Sequence, residues 1–102
     1  MKISKAFLSF KNDSPKQSEA WAEMVGKLSE ASVLDPKTKE LIYIGILAAV
    51  GLDSGIPFHV KNVKSKGASR DEIISAILVG LPATGHRITK GLSVAVEAYD
   101  ED

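Results

Sequence analysis

Apolar residues recur along the chain at helical spacing, in segments divided by short polar stretches that carry cap and break signals. In "DSPKQSEAWAEMVGKLSEAS", Ser14 stands before Pro15, a helix-start pair, and Trp21, Met24, Val25 and Leu28 share one face. This spacing predicts a helix over 15–31. "LDPKTKELIYIGILAAVG" repeats the start signal with Asp35 and Pro36, and Gly51 ends it, so a helix is expected over 36–51. From Leu41 to Val50 that helix is apolar nearly all round, with the Tyr43 hydroxyl as its one polar tip. Helices of this kind are central or sit in a subunit interface. "SGIPFHVKNVKSKG" predicts a helix over 55–66, with Pro57 near its start, an inward stripe of Ile56, Val60 and Val63, and Gly67 closing it. Ser69 and Glu72 have capping-box spacing ahead of Ile73, Ile74, Ile77 and Leu78, which predicts a helix to about Gly80. Pro82 breaks the pattern, and a last helix is expected over about 83–99. The first twelve residues, with Phe7, Leu8 and Phe10 among lysines, fit either a short helix or an arm. No stretch of useful length alternates apolar and polar residues, and there is no repeat or linker. The expected fold class is all-α, a bundle of about five or six helices in a single domain spanning 1–102.

A length of 102 residues supports one domain with a modest core. The balance of 44% hydrophobic and 25% charged residues is that of an ordinary globular protein. Net charge is zero but unevenly placed: the final "EAYDED" holds four acids, leaving 13 basic against 9 acidic side chains in residues 1–96. That mild bias is well short of a nucleic-acid footprint, so no nucleic-acid partner is expected. The acidic tail reads as a solvated, frayed end. Without cysteine the chain has no disulfide, no thiolate nucleophile and no cysteine metal site. Two histidines do not suggest structural zinc, and no metal is expected. The five-residue apolar patch Ala6–Phe10 is too short for a signal peptide, and Leu41–Leu52 falls short of the roughly 20 residues that span a bilayer. The expectation is a cytoplasmic protein with no membrane partner.

Candidate chemistry centres on Glu40 and His59, nineteen residues apart. The helices that carry them are joined by only a few residues, so they should form an antiparallel hairpin. Glu40 lies eleven residues before Gly51 and His59 eight after it. Folded back, the two differ by about three residues, roughly 5 Å along the axis, which their side chains can bridge. A carboxylate beside an imidazole fixes its tautomer, and such a pair moves a proton to or from a carbanion or enolate. A purely structural reading also stands: Glu40 complements its helix dipole and pairs with Lys37 or Lys39, while His59 is a core group.

Around this pair lie weaker candidates. "PATGHRITKG" puts His86 and Arg87 at a helix start that suits an anion, where Arg87 would clamp a carboxylate; the simpler reading is a solvated first turn. Lys61, Lys64 and Lys66 read as a solvated face. Asp53 and Ser54 read as caps of the His59 helix, or as polar groups at a pocket mouth. Tyr43, three residues past Glu40, shares its helix face and either orders it or packs in the core, the simpler reading.

The order and spacing of "LDPKTKEL", "FHVKNVKSKGASRDEIISAIL" and the "GLPATG" break resemble the carboxymuconolactone decarboxylase family, which includes the alkylhydroperoxidase D-like proteins. The resemblance covers about residues 34–99, with 1–33 an N-terminal arm and helix. It implies an alkylhydroperoxidase D-like bundle and a homo-oligomer, a trimer or hexamer. The redox branch of the family has a glutamate, eleven residues, a cysteine, two residues, a second cysteine, three residues and a histidine. On this chain the glutamate is Glu40, the histidine is His59, and the cysteine positions fall on Leu52 and Gly55. The missing thiols count against a peroxidase or other thiol-redox role. The decarboxylase branch is similar to this chain in lacking the redox pair and keeping a histidine. That resemblance implies a cofactor-independent acid–base enzyme with Glu40 and His59 as catalytic pair. Its substrate would be a small carbonyl or carboxylated lactone-type compound. Tyr43, Asp53, His86 and Arg87 are the candidate binding residues that the residue pattern itself offers. The alternative is a non-catalytic homo-oligomeric or small-molecule-binding family member.

Overall fold

The computed structural model describes residues 3–101. Met1 and Lys2 of the N-terminal arm and Asp102 of the acidic tail lie outside the described residues. Six helices of nine residues or more and one single-turn helix form the chain, with no strand among the described residues, so the fold is the expected all-α bundle. None of these helices is long and apolar enough to cross a membrane. The chain divides into two compact units, Ile3–Leu34 and the segment from Asp35 onward.

The first unit is a pair of helices, α1 (Lys5–Asp13) and α2 (Pro15–Ala31). The Ser4 hydroxyl accepts the Phe7 N–H and caps α1, which settles the opening residues as a short helix. Trp21 meets Phe7 and Phe10 edge to face, each at 6.0 Å between ring centroids. Ser14 occupies the cap position before Pro15, but its hydroxyl donates to the Phe10 carbonyl at 2.6 Å instead of capping α2. The same residue ends α1, whose last carbonyls need donors. No residue of this unit is buried; Trp21, Met24, Val25 and Leu28 form an exposed apolar stripe.

The second unit holds the core. Helix α3 (Pro36–Val50) starts where Asp35 accepts the Thr38 N–H at 2.9 Å, and ends at Gly51, whose φ of +79° only glycine adopts readily. Leu52 and a 3₁₀ turn (Asp53–Gly55) lead into α4 (Ile56–Ser65). Asp53 and Ser54 do not cap that helix: its cap position is Gly55, with no side-chain hydrogen bond, because the 3₁₀ turn intervenes. Helix α5 (Arg70–Leu78) opens on the expected capping box between Ser69 and Glu72.

The final helix departs from expectation. The segment 83–99 is not one helix. A single turn, α6 (Leu81–Thr84), is followed by a 3₁₀ turn (Gly85–Ile88), and α7 runs only from Thr89 to Asp100. Gly85, at φ +67°, breaks the helical path and turns the chain so that Ile88 drops fully into the core.

Helices α3, α4, α5 and α7 enclose a core whose largest fully buried side chains are Ile44, Ile56, Val60, Val63, Ile73, Ile77 and Ile88. Burial of each stabilises the fold by roughly 1.5–3 kcal/mol. The expected α4 stripe of Ile56, Val60 and Val63 is fully buried. Helix α3, apolar all round in sequence, buries only Ile44, Leu47 and Ala48; Ile42, Tyr43, Ile46 and Val50 remain exposed. Small residues let the helices approach: a Cβ added to Gly91 of α7 would sit 2.8 Å from the Ala48 Cβ of α3.

Nor is the acidic tail frayed through the described residues. Arg70 donates to both carboxylate oxygens of Asp100, at 3.0 and 3.2 Å. Lys64 and Lys61 donate to the Tyr99 and Glu101 carbonyls, each at 2.7 Å. These lysines therefore do more than form a solvated face: they meet the negative end of the α7 dipole.

Candidate functional site

The α3–α4 hairpin brings Glu40 and His59 together. Glu40 is in the second turn of α3 and His59 in the first turn of α4. The carboxylate Oε1 is bonded to Nδ1 of the ring, and Oε2 accepts the Asn62 side-chain N–H at 3.1 Å. Glu40 and His59 keep 16% and 26% of their side-chain surface exposed, so the pair is half-enclosed and open at the ring. Tyr43 approaches His59 from α3 at 4.7 Å between centroids, and Phe58 from α4 at 5.1 Å, both edge to face. Tyr43 is thus at the site and 43% exposed, not packed in the core.

Burial pushes the Glu40 carboxyl up, but the hydrogen bond and charge of His59, the positive charge of Lys66 and the Asn62 amide outweigh it. The net effect holds Glu40 below its ordinary value. At neutral pH the carboxylate is ionised and only accepts hydrogen bonds, so Nδ1 must carry the proton it donates. In the neutral ring Nε2 is then the free base. Of the two lysines weighed as partners for Glu40, Lys37 pairs instead with Glu72 at 2.9 Å.

The remaining candidates lie elsewhere. Asp53 has one carboxylate oxygen 3.9 Å from Lys90 Nζ and the other buried without a hydrogen-bond partner. His86 and Arg87 are exposed and lie in the 3₁₀ turn before α7, not at a helix start, because Gly85 delays that helix. The Arg87 guanidinium lies near Gly51, 3.6 Å from where a Cβ would be, at the C-terminal end of α3. Among the described residues no hydrogen bond or ring contact joins Asp53, His86 or Arg87 to Glu40 or His59.

Sequence reasoning missed Asn62 and Phe58. The signal for Asn62 was its place three residues after His59, on the same helical face. Among the described residues no cluster of three or more potential metal ligands forms.

No curated protein and no solved structure matches the chain significantly. The model of the carboxymuconolactone decarboxylase family matches residues 15–97, which takes in α2 as well as the segment that carries Glu40 and His59. The chain therefore belongs to the carboxymuconolactone decarboxylase family.

Proposed function

We propose that the protein is an acid–base enzyme in which His59 carries a proton and Glu40 orients and stabilises it. The observation that supports this reading is the hydrogen bond between an ionised Glu40 carboxylate and Nδ1 of a partly exposed His59 ring, which leaves Nε2 as the base. Nε2 takes a proton from an acidic C–H or O–H of a small carbonyl or carboxylate substrate. The resulting imidazolium is held by Glu40 and returns the proton to the carbanion or enolate left after bond rearrangement. In a carboxylated lactone the proton taken is that of the carboxyl O–H; the bond from carbon to the carboxylate then breaks, carbon dioxide leaves, the electron pair stays on carbon, and the imidazolium proton takes the place of the lost group. Tyr43 and Phe58 flank the ring and form the apolar wall against which such a substrate would lie. Thiol peroxide reduction is set aside, since the chain has no cysteine to attack the peroxide.

Self-association belongs to the same proposal. Ile42, Ile46 and Val50 repeat every four residues on α3 and are each about half exposed, an apolar stripe suited to a second copy of the chain.

The test is carbon dioxide release from carboxylated lactones and β-keto acids, together with deuterium uptake from heavy water at carbon next to a carbonyl. His59→Gln should lower either rate by roughly 10²–10⁴. A rate unchanged in that variant refutes the assignment of His59.

A further inference from the structure

We infer that Asn62 is a positioning residue for His59, acting through Glu40: its amide holds Oε2 and so keeps Oε1 on the ring nitrogen Nδ1. The inference rests on the acid–base reading of His59 for its functional meaning, but its geometry stands apart from that reading.

A glutamate carboxylate rotates about a broad terminal torsion with no strong preference of its own. It also offers about four lone-pair sites, so one hydrogen bond leaves it free to swing. Glu40 is tied at both oxygens, to His59 and to Asn62. The two donors stand three residues apart on α4, one turn of the same face. A rigid helix therefore presents both to one carboxylate of the facing helix, which fixes the plane of the carboxylate and, through it, the ring. Two charged groups that act on Glu40 are His59 of α4 and Lys66, the residue that ends that helix. Lys66 adds charge without that directional grip: it acts on Glu40 by charge, whereas Asn62 acts by a hydrogen bond. Asn62 thus supplies orientation where Lys66 supplies field.

Three variants of the full chain test this. Asn62→Ala removes the donor, Asn62→Asp replaces it with an acceptor carrying a negative charge, and Asn62→Gln keeps the amide. Alanine in an exposed or half-exposed helical position favours the helix, so loss of folding does not obscure the result. The readouts are the ¹⁵N shifts of the His59 ring, which report its tautomer, and the carboxyl ¹³C titration of Glu40. Wild type and Asn62→Gln should show a ring protonated at Nδ1. Asn62→Ala should show mixed tautomers with the Glu40 titration moved upward, and Asn62→Asp a larger upward move. On a substrate turned over by the wild type, Asn62→Ala should lower kcat by roughly 10- to 100-fold with little change in KM, the scale of a misplaced reacting group. An unchanged His59 tautomer and Glu40 titration in both Asn62→Ala and Asn62→Asp overturns the inference. If the spectra move as expected but no substrate of the panel turns over in the wild type, the positioning holds and the acid–base reading is what fails.

Discussion

Glu40 and His59 meet across a hairpin whose turn is only Gly51, Leu52 and one 3₁₀ turn. The turn is short because Gly51 takes a left-handed conformation and ends α3 abruptly. With that geometry the fifth residue of α3 faces the fourth residue of α4. The carboxylate is ionised, half-enclosed and tied at both oxygens, so it holds the ring through Nδ1 and leaves Nε2 without that bond. Position in the chain, turn chemistry and charge all act on the same two side chains.

This pairing makes part of the stability depend on acid pH. The folded Glu40 titrates below its unfolded value, near 4.5. A group lowered in this way contributes stability above the unfolded value and loses it as pH falls through the folded value. Glu40→Gln should therefore be less stable than wild type at pH 7 by about 1 kcal/mol, the scale of charged hydrogen bonds in a half-exposed site. The difference should shrink as pH drops below about 4.5. Urea unfolding at pH 7, 5 and 3 checks it, and a constant difference across that range would contradict the linkage.

The α3–α7 contact depends on Gly91 having no side chain. An added Cβ would lie 2.8 Å from the Ala48 Cβ, 3.0 Å from its Cα and 3.2 Å from Ile56 Cδ1. Alanine gains about 1 kcal/mol of helix propensity, while overpacking costs about 1–3 kcal/mol. Gly91→Ala should lower stability by about 1 kcal/mol, and Ala48→Gly in that background should restore part of it, measured as a double-mutant cycle. Gly91→Ala equal to or above wild type in stability would show that the contact relaxes freely.

The helices that open on a strong local signal were legible in the sequence. Asp35–Pro36 and Ser69–Glu72 each state a helix start within four residues, and the structure keeps both. The Glu40–His59 contact was legible because two helices and a glycine fixed its axial register. The break at Gly85 was not: a single glycine inside a helical pattern reads as tolerated, and only the folded chain shows its positive φ turning the backbone so that Ile88 fills the core. The docking of Tyr99 and Asp100 was hidden for the same reason, since Lys64 and Arg70 are far from them in sequence. Asn62 carried no apolar or charge pattern, and only the position of the facing carboxylate gives it a role.

Exposure of the α3 stripe leads to a prediction on assembly. Ile42 and Ile46 are 47% and 50% exposed, so replacing either leaves the core of the second unit untouched. Ile46→Glu should weaken self-association at least roughly 10-fold, as removal of a central apolar contact does, while helicity by circular dichroism stays unchanged. Light scattering over a dilution series measures it. Wild-type protein that remains monomeric at the highest concentration would remove the α3 stripe as an interface.

The loop between the paired residues allows thiol chemistry to be tested by adding it. Gly55 has φ −86° and ψ −15°, ordinary for a residue with a side chain, and a Cβ there would lie 3.6 Å from Leu47 Cδ1, normal contact. Leu52 is 58% exposed, and its carbonyl accepts the Gly55 N–H at 3.2 Å, so the two positions form one tight turn at the start of α4. Sulfur at the start of a helix ionises more readily, because the dipole favours the thiolate. The wild-type chain should not couple a dithiol to organic hydroperoxide reduction. The combined Leu52→Cys and Gly55→Cys variant should react with a thiol reagent at pH 7 several-fold faster than a free model thiol, and should form an internal disulfide on oxidation. Stopped-flow alkylation and mass measurement check both steps. Hydroperoxide turnover by the wild type at the rate of the variant would mean that this protein reduces peroxide without sulfur, and the acid–base reading of Glu40 and His59 would have to give way to that chemistry.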